Sequence, residues 1–340
     1  MAKQITKPQK QLSFVVDLNK CIGCQTCTVA CKKLWTNQKG EDPIYWRNVE
    51  TKPGRGYPRD WEAKGGGFNA AGEVQRARMP TAGEYGVPFE FDYQARLFEG
   101  VPGRVRPRPG ATNAGFGSWA PNYDEDQGAG AYPNNYYFYL PRHCNHCSKP
   151  ACLEACPNDA IYKRAADGIV LVDQTKCKAA RNCVQACPYD KTYFNTATQK
   201  ASKCIGCYPR IEKGVATACV AQCVGRAMHV GFIEDTASSV HKLARVWKVA
   251  LPLYAERGTE PNMFYVPPVL GPVNEDAQGN LRTDQKIPVE YLVKLFGNEV
   301  PRVLKTLNDE RAKRIANQPS ELMDIMIGRR SADMMLDPMT

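Results

Sequence analysis

The 340-residue sequence has no apolar run approaching the roughly 18 residues that a membrane-spanning helix needs, and its mean hydropathy is −0.46. No direct membrane span is expected, so any membrane association would come through another subunit. Histidine is scarce: His143, His146, His229 and His241 are all there is. No nucleophile is paired with a base, and no catalytic metal pattern occurs, so no catalytic residue is assigned. Gly65-Gly66-Gly67 is not followed by the Lys-Ser or Lys-Thr pair of a phosphate-binding loop, which removes the one hint of a nucleotide site. The opening Met1-Ala2-Lys3-Gln4-Ile5-Thr6-Lys7-Pro8 lacks the apolar stretch and the twin arginine of an export signal. Taken alone, the chain reads as cytoplasmic.

Cysteine is absent from residues 32–143 and 230–340, yet the chain contains fifteen, gathered into four groups. The first is Cys21, Cys24, Cys27 and Cys31; the second is Cys144, Cys147, Cys152 and Cys156, followed by Pro157. The third has only Cys177, Cys183 and Cys187 before Pro188, and the fourth is Cys204, Cys207, Cys219 and Cys223. At a constant offset of 156 residues the first group falls on Cys177, Ala180, Cys183 and Cys187, so one sulfur is replaced by a methyl group. The flanks repeat as well. Val16-Asp17-Leu18-Asn19-Lys20-Cys21 aligns with Val172-Asp173-Gln174-Thr175-Lys176-Cys177, the mark of a duplicated unit.

Cysteines two, two and three residues apart wrap the backbone around one iron-sulfur cubane. The fourth cysteine, often before proline, ligates the other cluster of a swapped pair. Only residues 157–176 separate the second group from the third, which pairs those two and leaves the first with the fourth. Swapping the last cysteine in each pair yields four ligand sets: Cys21, Cys24, Cys27 and Cys223; Cys31, Cys204, Cys207 and Cys219; Cys144, Cys147, Cys152 and Cys187; and Cys156, Cys177 and Cys183. Every cysteine is used. Ala180 leaves one cubane corner without a thiolate, so iron bound through these fifteen cysteines is expected as three [4Fe-4S] clusters and one [3Fe-4S] cluster. Structural zinc wants two separated C-x2-C pairs, which the dense first group does not supply. An odd count argues against a disulfide framework, and a radical-type C-x3-C-x2-C is missing because Leu34 follows Cys31 where cysteine would be needed.

The formal charge of +10 ordinarily raises nucleic acid or an anionic membrane as a partner. Each oxidised cluster with its thiolates carries roughly −2, so four offset most of that excess. With no basic and aromatic stripe either, no nucleic acid is expected.

The predicted fold is α+β: two ferredoxin-like lobes of the bacterial two-[4Fe-4S] kind, related by the internal repeat, with a long insertion and a C-terminal helical extension. Residues 10–31 with 200–235 form the first lobe, 32–143 the insertion, 144–199 the second lobe and 236–340 the extension. Leu12 to Val16 and Gly168 to Val172 read as strands that deliver cysteine loops, and short helical turns end at Pro157 and Pro188. The insertion is rich in Gly, Pro and Tyr, as in Tyr132-Pro133-Asn134-Asn135-Tyr136-Tyr137-Phe138-Tyr139. Its length argues for ordered structure, with its aromatics as packing residues. In the extension, Pro288 opens a helix carrying Val289, Leu292, Leu295 and Phe296, and Gly297 stops it. Val300, Val303, Leu304 and Leu307 share one face of a second helix, and Leu322, Ile325 and Met326 belong to a third. Such stripes either close the core or grip a larger subunit; the length of the tail favours partner-binding arms.

The linked set Asp17-Leu18-Asn19-Lys20-Cys21-Ile22-Gly23-Cys24-Gln25-Thr26-Cys27, Trp46-Arg47-Asn48-Val49-Glu50-Thr51, Gly56-Tyr57-Pro58-Arg59 and Lys203-Cys204-Ile205-Gly206-Cys207-Tyr208-Pro209-Arg210-Ile211-Glu212 resembles the iron-sulfur beta subunits of the type II dimethyl sulfoxide reductase family of molybdenum enzymes. The resemblance covers nearly the whole chain. It implies an electron-transfer subunit in a heterotrimer with a molybdenum bis-pterin alpha subunit and a haem b gamma subunit. The first-group cluster would lie toward the former and the [3Fe-4S] end toward the latter. It also implies a periplasmic location, reached by export with a signal-bearing alpha subunit. A beta subunit of a formate dehydrogenase, hydrogenase or polysulfide reductase type and a free-standing ferredoxin-like carrier are the other readings. The former commonly has all sixteen cysteines, and the latter has no use for so long a tail.

Overall fold

The computed structural model describes residues 3, 5–41, 44–53, 129, 136–269, 273–275 and 281–327. Gly65-Gly66-Gly67, Gly56-Tyr57-Pro58-Arg59 and Tyr132-Pro133-Asn134-Asn135 lie outside them. The chain divides into two compact units, residues 1–50 with 132–340 and residues 51–131. Residues 32–50 and 132–143 of the expected insertion therefore belong to the unit that carries the cysteines.

The elements run β1 (Leu12–Asp17), α1 (Thr26–Trp35), β2 (Asn48–Lys52), β3 (Phe138–Arg142), α2 (Ala151–Glu154), β4 (Ile161–Lys163), β5 (Val170–Val172), α3 (Asn182–Ala186), β6 (Thr192–Asn195) and β7 (Lys200–Lys203). Then come α4 (Tyr208–Ile211), α5 (Ala218–Ala221), β8 (Met228–Phe232), α6 (Ser239–His241), β9 (Leu251–Pro252), β10 (Met263–Val266), β11 (Val273–Glu275), β12 (Leu281–Gln285), α7 (Val289–Phe296), α8 (Val300–Ile315) and α9 (Glu321–Ile327).

The run Phe14-Val15-Val16 in β1 is apolar without alternation, the pattern of a strand covered on both faces, and all six residues of the strand are buried. It sits inside a sheet of order β8-β1-β10-β9, antiparallel to β8 and parallel to β10. The sheet ends at a fixed turn: the Asp17 carboxylate accepts from the Asn19 backbone N–H at 3.0 Å and from Asn19 Nδ2 at 2.8 Å, directing the chain into the loop that starts at Cys21. The remaining strands form two-stranded ribbons, β2-β3, β4-β5, β6-β7 and β11-β12. These ribbons and the short helices, with α1 packed on α5 and α2 on α3, hold the cysteine loops.

The extension behaves differently from the arms its length suggested. Leu292, Leu295 and Phe296 of α7, Val300, Val303, Leu304 and Leu307 of α8, and Leu322 and Met326 of α9 join the same buried cluster as Leu12, Val15 and Met263. The helix starts and stops fall where proline and glycine put them, with Pro288 before α7 and Gly297 after it. The apolar stripes are thus spent on the chain's own core, since covering the main sheet removes more apolar surface from water than exposed arms would.

Leu292 is fully buried, whereas Ile315, at the end of α8, is 74% exposed. Leu292→Ala is expected to destabilise the protein by about 2–5 kcal/mol and Ile315→Ala by less than about 0.5 kcal/mol. Denaturant midpoints will separate them; equal, small effects would return the extension to the role of an arm.

Candidate metal centres

Each group begins with a loop that reverses within three residues, and the reversal has a common origin. The residue two places after the leading cysteine is left-handed in all four: Gly23 at φ 69°, His146 at φ 44°, Ala179 at φ 61° and Gly206 at φ 61°. Such a turn gathers backbone N–H groups into a concavity suited to an anion and aims neighbouring side chains inward. Gln25 and Arg181, related by the 156-residue offset, are also left-handed, at φ 57° and 62°, and each precedes the helix carrying the next cysteine. The two segments thus share left-handed positions at the same offset as their flanks.

Four cavities are lined by these thiols. Cavity I is bordered by Cys21, Cys24, Cys27 and Cys223. Cavity II is bordered by Cys31, Cys204, Cys207 and Cys219 together with Trp35, Trp46, Arg47 and His143. Cavity III has Cys144, Cys147, Cys152 and Cys187. Cavity IV has Cys156, Cys177 and Cys183, with Ala180 on its wall.

Their order follows from the helices. Cys27 and Cys31 lie four residues apart on α1, about 6 Å of rise, so one helix serves cavities I and II. Cys219 on α5 and Cys223 just after it do the same from the other side. Cys152 on α2 with Cys156 beyond its end, and Cys183 on α3 with Cys187, link cavities III and IV in the same way. Cavities II and III meet where Cys204 and Cys144 are close enough to repel as anions. The sequence in space is I, II, III, IV.

Burial dominates the electrostatics. It pushes the thiols of Cys21, Cys183 and Cys207 up to about 11 and Cys147 to about 12, with neighbouring sulfurs adding to the effect. Cys31, Cys152, Cys187 and Cys204 move upward for the same reason. Cys24 alone is exposed, and hydrogen bonds from Thr26 draw it down. Ionising rings of buried sulfur requires positive charge, which iron supplies on binding. The surroundings are built for that anionic state. Backbone N–H groups donate to sulfur from His146 to Cys144, Lys191 to Cys187, Ala201 to Cys177 and Gly206 to Cys204, each at 3.4 Å, and from Ala227 to Cys223 at 3.3 Å. Trp35 Nε1 donates to Cys207 at 3.1 Å.

Buried cations complete the environment. Arg47, Lys163 and Lys203 are each less than 5% exposed, and among the described residues none of them pairs with a carboxylate. Lys163 donates to the carbonyls of His146, Cys147 and Gly168 at 3.2, 3.1 and 2.7 Å, and burial pushes its ammonium down to about 8. No three His, Cys, Asp or Glu side chains among the described residues converge on a single-ion site. The thiols ring larger spaces instead, as ligands of a polynuclear cluster do, where each sulfur binds a different iron. The donor set, the N–H···S bonds and the unpaired cations all fit anionic iron-sulfur centres.

His143 and His146 do not reach the surface; they are 3% and 1% exposed. Burial pushes His143 down to about 3 and His146 well below its ordinary value, so both are neutral. His146 Nδ1 accepts the Val170 N–H at 3.1 Å, which places its proton on Nε2. His229 meets Ser239 and His241 meets the Ile233 carbonyl, away from the cavities. The sequence singled out the cysteines and missed Trp35 and Lys163 as neighbours of sulfur. Arg47 and Lys203 stood only within motifs, and their buried places beside the cavities had no local signal.

Residues 135–233 match the model of a 4Fe-4S dicluster domain. Over all 340 residues the chain is 64% identical to the perchlorate reductase subunit beta of Dechloromonas aromatica (strain RCB), covering 100% of each chain. It is 53% identical over 327 residues to the selenate reductase subunit beta of Thauera selenatis, and 51% identical over 327 residues to the dimethylsulfide dehydrogenase subunit beta of Rhodovulum sulfidophilum. In both cases the match covers 96% of this chain and 98% of the relative.

A Cβ added at Gly23 would stand 2.6 Å from the Tyr139 ring, in a left-handed conformation that a β-branched residue resists. Gly23→Val is therefore expected to disable cavity I alone. Iron per chain, measured by plasma emission, should fall by about a quarter, one centre in four; a full complement would show that the loop tolerates the side chain.

Proposed function

Since the chain belongs to the iron-sulfur beta subunits of the type II dimethyl sulfoxide reductase family, whose role is electron transfer, we propose that it relays electrons between a molybdenum bis-pterin alpha subunit and a haem b gamma subunit in a heterotrimer. Three [4Fe-4S] clusters would be held by Cys21, Cys24, Cys27 and Cys223, by Cys31, Cys204, Cys207 and Cys219, and by Cys144, Cys147, Cys152 and Cys187. One [3Fe-4S] cluster would be held by Cys156, Cys177 and Cys183. When bound, the clusters supply one-electron redox centres; the polypeptide spaces them, shields them from water and supplies the charges around them.

The observation that carries this reading is the row of four thiol-lined cavities strung along two helix pairs. Electron tunnelling falls steeply with distance, so a row of centres whose ligands follow one another along shared helices suits passage across a protein too thick for a single hop. Both ends of the row bear on the partners. At cavity I, Cys24 is exposed beside Ile22, Val29 and Val224, each more than 60% exposed, an apolar rim suited to cover by the catalytic subunit. Cavity IV, with its missing thiolate at Ala180, suits the end facing the haem, because a three-iron centre commonly has the higher potential. Among the described residues no helix is long and apolar enough to cross a membrane, in keeping with a chain whose membrane contact runs through a partner. The same reading places the protein in the periplasm, exported with its alpha subunit. The two paired lobes, residues 10–31 with 200–235 and residues 144–199, are part of it.

Anaerobically purified protein is expected to contain about 15 irons per chain and, when oxidised, to show the electron paramagnetic signal of a three-iron cluster. A value near 16 with no such signal would remove the [3Fe-4S] assignment. Ala180→Cys is expected to restore a fourth ligand in cavity IV and abolish that signal under iron-replete, reducing conditions. Persistence of the signal would mean that residue 180 does not face the missing corner.

A further inference from the structure

Two of the buried cations stand at junctions between cavities rather than beside a single one. Arg47 lines cavity II and is 1% exposed. Its Nη2 touches Met228 Sδ, while Nε and Nη1 have no hydrogen-bond partner. The guanidinium faces Cys219 of cavity II and Cys27 of cavity I, and the Met228 that it touches lines cavity I. Lys203, 2% exposed, donates to the Val170 carbonyl and, at 2.7 Å, to the Cys204 carbonyl. Its ammonium faces Cys144 and Cys152 of cavity III and Cys204 of cavity II.

A purely structural role explains neither residue. A buried charge with no carboxylate partner destabilises a fold, and an apolar side chain of similar volume would pack the same space at less cost. Two unsatisfied N–H donors on Arg47 add to that cost. The expense makes sense when the spaces on either side hold negative charge. Reducing an iron-sulfur centre adds one electron, and in an interior screened neither by water nor by salt a cation a few ångströms away favours the reduced form strongly. A cation at a junction acts on both neighbours at once. The cations around cavity IV are less buried: Arg181 on its wall is exposed and lies over the Phe194 ring at 4.0 Å, while the partly buried Lys200 and Lys3 donate to the carbonyls of Cys177 and Cys156.

We propose that Arg47 and Lys203 are fixed charges shared between neighbouring centres, Arg47 raising the reduction potentials of those in cavities I and II and Lys203 those in cavities II and III. The inference rests on the reading that the cavities hold clusters. Cavity II takes both charges. Sharing has a consequence for traffic: an electron moving between two centres stays beside the same cation, so the hop does not carry it away from its stabilising charge. Lys163, which faces Cys147 and Cys144, and Lys191, which faces Cys187, act on cavity III alone.

The test is potentiometric titration followed by electron paramagnetic resonance on the native cluster-loaded complex, with Arg47→Gln, Lys203→Met and the charge-conserving Arg47→Lys and Lys203→Arg. Each neutral variant is expected to lower two of the four potentials by about tenfold in the one-electron equilibrium, about 59 mV, and one centre should respond to both. The charge-conserving variants should shift by less than half as much. Iron content and wild-type signals test the cluster reading separately: a wild-type protein without clusters removes that reading. An iron-replete neutral variant with unchanged potentials, or with all four shifted alike, overturns only the shared-charge inference. If a neutral variant fails to load iron, its charge-conserving partner decides. Retained potentials support the role of charge, and a tenfold drop overturns it.

Discussion

Packing ionisable sulfur into rings inside a protein is the constraint on which the rest of this structure depends. Fourteen of the fifteen thiols are buried or partly so, and in their rings they repel one another once ionised. Burial alone keeps them protonated, as the upward shifts of Cys21, Cys147 and Cys207 show. The polypeptide answers with groups that favour negative charge: backbone N–H donors aimed at sulfur, the indole of Trp35, and cations withheld from carboxylates. These groups destabilise a metal-free chain and stabilise a loaded one, so metal binding and folding are coupled.

The same constraint shapes the backbone. A loop must reverse within three residues to turn several sulfurs toward one centre, and a left-handed residue achieves it. Gly23 and Gly206 do so without the Cβ penalty. His146 and Ala179 carry it, at roughly 1–2 kcal/mol each, and remain left-handed because the surrounding packing holds them there. The Tyr139 ring, close over Gly23, shows how little room these loops leave. Rigidity comes from the sheet around β1, whose strands fix where the first loop starts, and from α7, α8 and α9, which close the core beneath it. Elsewhere a partly buried ion pair ties the two strands of one ribbon together: Arg142 at the end of β3 holds Glu50 of β2 through two hydrogen bonds of 2.8 and 2.9 Å.

Much of this was legible in the sequence where the governing physics is local. Cysteine spacing reports which sulfurs one turn of chain brings to one centre, and the 156-residue repeat exposed Ala180 as the position without a sulfur. Pro288 and Gly297 marked the ends of α7 because one lacks an N–H and the other accepts unusual backbone angles. Apolar periodicity likewise revealed which faces of α7, α8 and α9 would be hidden. What hides them was not legible, because an apolar stripe records a need for burial and not the surface that meets it.

By itself, then, the sequence determined the local chemistry: four cysteine groups, the offset that sets Ala180 against Cys24, and the helices with their buried faces. Only the tertiary structure decided that cavities II and III are neighbours, that Arg47 and Lys203 stand between cavities, that His143 and His146 are buried and neutral, and that the extension closes the core. The division has a physical cause. Ligand loops and helix caps depend on residues a few positions apart, whose geometry the backbone imposes wherever the loop lies. A charge acts through space, and Arg47 meets Cys219, or Lys203 meets Cys144, only after the chain between them has folded.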